Sequence, residues 1–104
     1  MKRNAFAMRL KQGYAEEYKK RHDEIWPELK AELRKAGVSD YSIYLDEKTN
    51  TLFAYQFLAA DATDAELPKK EIVKKWWNMM KDIMDTNADE SPVSDTLREM
   101  FHMD

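Results

Sequence analysis

The chain has 104 residues, 43% apolar, 12% aromatic and 36% charged, which suits one hydrophobic core with a charged surface and excludes a disordered chain. Its formal net charge of −3 gives no positive field to gather phosphates, so nucleic acid is not an expected partner. With no cysteine, disulfides, thiolate nucleophiles and thiolate metal ligands are all ruled out.

The start "MKRNAFAMRLKQ" has basic residues before an apolar run, but that run is interrupted by Arg9 and is too short for a signal-peptide core. No stretch approaches the roughly 18 apolar residues of a membrane span. One domain over residues 1–104, in the cytoplasm and away from membranes, is the expectation.

In "NAFAMRL", Phe6, Met8 and Leu10 alternate with Ala5, Ala7 and Arg9, the period of a short strand. After Gly13 the period changes. Tyr14, Tyr18, His22 and Ile25, then Trp26, Leu29, Leu33 and Ala36, recur at helical spacing. Pro27 lacks an N–H and drives Trp26 away from helical angles, so two helical pieces are predicted, 14–24 and 27–36. Gly37 supplies the stop.

"DYSIYL" and "TLFAYQFL", joined by the polar "DEKTN", read as an antiparallel hairpin. In the second strand Leu52, Ala54, Gln56 and Leu58 oppose Phe53, Tyr55 and Phe57, so both faces are apolar. Helices cover one face of such a sheet, and a second subunit is the simplest cover for the other. Thr63 and Glu66 are spaced as a capping box before Pro68. From Lys69 to Met84, apolar doublets at Ile72/Val73, Trp76/Trp77, Met79/Met80 and Ile83/Met84 predict a helix with a wide buried face.

The tail is ambiguous by periodicity. Val93, Leu97, Met100 and Phe101 fit a helix, but strand, helix, strand, strand, helix lacks only one strand of the split β-α-β-β-α-β unit, and this favours a final strand over 94–103. The expected class is α+β, ferredoxin-like.

His22 and Tyr18 stand one turn apart on one helix face. Packing against Tyr18 and Ile25 accounts for His22 as well as chemistry does, although an imidazole with a pKa near 6.5 suits proton transfer at neutral pH. Trp76 and Trp77 point about 100° apart. One is expected in the core and the other at the edge of a cavity, where an indole face can stack on a sugar, although packing of both on a wide buried helix accounts for the pair as well. Tyr41 is on a strand, where tyrosines usually pack half-buried, but it opens that strand near a sheet edge and can present its hydroxyl to a cavity. A metal site has little support: His22 and His102 are far apart, and "HDE" on a helix aims its side chains in different directions. Neither a phosphate loop nor a serine nucleophile elbow is present.

Four ordered segments, "EEYKKRHDEIWPELKAEL", "YSIYLD", "KKWWNMMKDIM" and "ESPVSDTLREMF", resemble the L-rhamnose mutarotases, over Phe6 to Met103. The resemblance implies a homodimeric ferredoxin-like α+β barrel that interconverts the α and β anomers of the small sugar L-rhamnose without cofactor or metal. It also implies that His22 is the proton donor and that Tyr18, Tyr41, Trp76 and Trp77 contact the sugar. Asp23 beside His22 is expected to raise its pKa. The same architecture includes cofactor-free and haem-degrading monooxygenases, and a binding module without chemistry would keep the pocket but not need His22.

Overall fold

In β1 (Lys2–Arg9), Phe6 and Met8 turn to one side and Ala5 and Ala7 to the other, in a computed structural model that describes residues 2–104. The chain turns at Gly13 into α1 (Ala15–Asp23). Trp26 is extended, with φ −64° and ψ 131°, and α2 (Pro27–Lys35) opens on the proline. The helix breaks where Pro27 requires it. Gly37 follows α2 at φ 91°. A Cβ there would lie 3.1 Å from the Ala62 Cα, so this stop is also a close backbone approach.

β2 (Val38–Asp46) and β3 (Thr51–Leu58) form the expected hairpin, from Val38 opposite Leu58 to Asp46 opposite Thr51. Its register slips between Ser39 and Ser42, so that Asp40 and Tyr41 together face Gln56. Asp40 takes φ 47°, the backbone of a β-bulge. β4 (Ser94–Leu97) adds to the other side of β1. With α3 (Glu71–Met80) the chain completes a β-α-β-β-α-β progression, and its antiparallel sheet has the order β2-β3-β1-β4. The fold is α+β and ferredoxin-like, as expected.

Three boundaries differ from the expectation. α3 ends at Met80, not Met84: residues 83–85 leave the helix and run beside the end of β1, where Lys11 N–H donates to the Ile83 carbonyl and Asp85 N–H to that of Arg9. Ile83 and Met84 are buried by this route, so helical spacing there serves an extended segment. Thr63 and Glu66 form no capping box. Thr63 makes no side-chain cap, Glu66 pairs with Lys69, and Pro68 lies inside a 3₁₀ turn over Asp64–Lys69. The last strand stops at Leu97, and beyond it Glu99 is tied back to Arg3 by an ion pair. Met100, Phe101 and Met103 are exposed.

The core lies between the inner sheet face and the helices. Met8, Leu52 and Ala54 meet Leu29, Val73, Trp76 and Met80 there. On the outer face Phe53 and Tyr44 stay exposed, and Tyr55 and Phe57 are half-buried. Among the described residues, no helix is long and apolar enough to cross a membrane.

Candidate active site

α1 is a strongly polar helix whose one buried side chain is Tyr18. One turn on, His22 stacks its ring on that of Tyr18 at 4.2 Å between centroids. Its Nδ1–H donates to the Tyr18 carbonyl at 3.1 Å, because a carbonyl can only accept. This fixes the tautomer and leaves Nε2 for an incoming ligand. From α3, Trp76 meets the His22 ring edge-on at 5.3 Å and that of Trp26 at 5.0 Å. The extended backbone at Trp26 lets an indole from the break between helices reach that place.

Between the inner sheet face and the helices lies a cavity of about 860 Å³. Tyr18, His22, Tyr41, Trp76 and Trp77 all line it, and Met8, Leu10, Leu52, Met80 and Met84 give it an apolar floor. The two tryptophans divide as their 100° separation demands: Trp76 is 8% exposed, while Trp77 is half-buried. The β-bulge adds a residue ahead of Tyr41, whose ring lies edge-to-face with Phe6 at 6.5 Å.

Burial sets the protonation states. It pushes the Tyr18 hydroxyl far above the usual tyrosine range, with a further rise from the nearby Tyr41 hydroxyl. Tyr41 is pushed up to about 12 by burial of its hydroxyl, although 39% of the residue remains accessible, since it lines an open cleft. Both hydroxyls therefore stay protonated and can donate. His22 goes the other way from the expectation. Desolvation lowers its pKa below 6.5 and outweighs the Tyr18 carbonyl and Asp23, which raise it. Asp23 is already paired with Lys19 at 2.9 Å on an exposed flank.

Neither histidine belongs to a group of three or more metal-ligating side chains among the described residues. A model of the family described as L-rhamnose mutarotase matches residues 3–103. The chain belongs to the L-rhamnose mutarotase family. A member from Bacteroides thetaiotaomicron is 60% identical over 104 residues, covering both chains completely. Another from Formosa agariphila is 53% identical over the same length, also with complete coverage. The crystal structure of an L-rhamnose mutarotase from that organism superposes with a TM-score of 0.93, at 53% identity, and covers all of each chain.

Some features of this mutarotase-family site were beyond the reach of sequence reasoning. Pro92, from the segment after α3, lines the cavity. Glu90 holds that segment to α3 by accepting from Lys81 at 2.6 Å and from Asn78. Arg21, next to His22, binds the end of α3 through Asp82. No local spacing signals these contacts.

Proposed function

We propose that the chain catalyses interconversion of the α and β anomers of L-rhamnose, with His22 as its proton donor. The observation that carries this reading is the His22 imidazole, its tautomer fixed by the Tyr18 carbonyl, in a cavity edged by two indoles and two protonated tyrosine hydroxyls.

Mutarotation opens the sugar ring and closes it on the other face of the aldehyde. As the bond between C1 and the ring oxygen breaks, protonated His22 gives its Nε2 proton to that oxygen, which becomes the C5 hydroxyl, while the anomeric hydroxyl passes its proton to water and C1 becomes a carbonyl. On reclosure neutral His22 takes the proton back from the C5 hydroxyl as its oxygen attacks the other face of C1, and water returns a proton to the carbonyl oxygen. Lowering the pKa of His22 makes its protonated form a stronger donor for the first step, and such general acid–base help is worth about 10² to 10⁴ in rate. Tyr18 and Tyr41 orient sugar hydroxyls or relay the anomeric proton. Trp76 and Trp77 offer indole faces to the apolar side of the sugar, including its C6 methyl.

The enzyme is a single cytoplasmic domain that works as a homodimer. An antiparallel sheet packed on one side by helices ordinarily shows a polar outer face. Here Phe53, Tyr55 and Phe57 of β3, with Tyr44 and Leu97, make that face apolar, and pairing two such sheets buries it. The activity is tested by polarimetry on freshly dissolved α-L-rhamnose. Catalytic amounts of protein should speed the approach to the equilibrium rotation, and an unchanged rate would remove the reading.

A further inference from the structure

Arg21 is placed where it can set the position of its neighbour. Its side chain is 19% exposed and its guanidinium is nearly saturated with partners. Nε donates to Glu17 at 2.8 Å, one turn back on α1. Nη1 donates to the Met79 carbonyl at 2.8 Å and to Asp82 at 2.8 Å, and Nη2 to the other Asp82 oxygen at 3.1 Å. The pairing with Asp82 is bidentate, a geometry that arginine makes and lysine does not.

The Met79 carbonyl belongs to the last turn of α3, where carbonyls lack partners within the helix. α3 has no basic residue in that turn, so α1 supplies the cation that its negative end favours. Met79 lies one turn from Trp76, the residue whose indole meets His22. One guanidinium thus links the helix that carries the imidazole to the helix that carries its indole neighbour. Tyr18, the buried side chain of α1, itself lines the cavity, so the clamp adds a tie that does not depend on the site's own lining.

We propose that Arg21 is a positioning residue for the mutarotase reaction: by clamping α1 to the end of α3 it holds His22 at the distance from the sugar that proton transfer requires. This rests on the assignment of His22 as proton donor. A displacement of about 1 Å from a reactive geometry can cost about 100-fold in rate.

The test uses Arg21→Gln, Arg21→Lys and Asp82→Asn, with kcat and KM taken from anomer exchange by NMR and the His22 ring titrated by its Cε1 signal. Asp23 and Tyr18 are the titratable groups of α1 that reach His22, and α3 presents the uncharged Trp76 ring. Arg21→Gln should lower kcat by about 10- to 100-fold with a smaller change in KM, and should move the His22 midpoint up as the imidazole gains water. Arg21→Lys should not rescue kcat. Asp82→Asn changes an exposed side chain, keeps the fold, and should shift both readouts in the same direction by less. If Arg21→Gln does not fold, Asp82→Asn decides. Wild-type kcat and an unmoved His22 midpoint in the folded variant would overturn the clamp. Full exchange by His22→Gln would instead overturn the donor assignment beneath it.

Discussion

Replacing Trp76 with alanine separates packing from sugar contact at the aromatic that joins His22 to Trp26. Trp76 is 8% exposed and meets both His22 and Trp26 edge-on. A tryptophan hides roughly 150–250 Å², which at about 25 cal/mol per Å² corresponds to about 4–6 kcal/mol for the whole side chain. Alanine keeps part of that, and one flank of Trp76 already faces open space, so a loss of about 3–4 kcal/mol is expected, within the range seen for such truncations. The edge-to-face contact with Trp26 should appear as a coupling of about 0.5–1.5 kcal/mol in a cycle with Trp26→Ala. Trp77 is half-buried, and Trp77→Ala should cost about 1–2 kcal/mol while raising KM. Urea unfolding with an unchanged m-value gives the stabilities, and anomer exchange gives KM. A loss below about 1 kcal/mol for Trp76→Ala, or a larger one for Trp77→Ala, would refute the division of the pair into a core member and a rim member.

Further outcomes follow from charge, backbone and surface. With His22 as donor in the opening step, exchange should slow as pH rises through a midpoint below 6.5, because burial favours the neutral ring; slowing on acidification would make neutral His22 the base of that step. The same shift affects stability: the unfolded imidazole takes up a proton more readily than the folded one, so the fold loses stability as pH falls below about 6.5, down to the folded midpoint, and His22→Gln should remove that loss. Gly37→Ala should cost about 1–3 kcal/mol, because its Cβ would press on Ala59 and Ala62, whereas Gly13→Ala meets no atom within 4 Å and should cost about 1 kcal/mol in thermal unfolding. Phe53→Lys places a charge in the apolar outer sheet face and should shift the protein from dimer to monomer in sedimentation; an unaltered dimer would put the interface elsewhere.

The sequence is most legible where structure is decided locally. Pro27 breaks the helix by its own ring, Gly37 ends α2 by its freedom at positive φ, and β3 alternates cleanly because one face meets helices. Legibility fails where distant partners decide. Ile83 and Met84 keep helical spacing, yet hydrogen bonds from Lys11 and Asp85 draw the segment onto the end of β1. The bulge at Asp40 depends on pairing with β3: aspartate tolerates positive φ better than most residues, but only the register slip against β3 makes that backbone a bulge. Thr63 and Glu66 have a capping box's spacing, but their N–H groups already donate to the Ala36 and Thr63 carbonyls. At the site, residue types and one-turn spacing bring Tyr18 and His22 together, and the resemblance adds Tyr41 and the tryptophans. The direction of the His22 pKa shift was out of reach: it requires knowing that Lys19 engages Asp23 while indole and phenol surfaces displace water from the ring. The Arg21–Asp82 contact joins residues 61 positions apart in the sequence, and no local pattern announces it.

The most direct test of the account is saturation transfer between the α and β anomeric protons of L-rhamnose, recorded with the wild type and with His22→Gln. Exchange that appears with the wild type and falls by about 100-fold or more in a folded variant is the predicted result. Equal exchange by both proteins would contradict His22 as the proton donor.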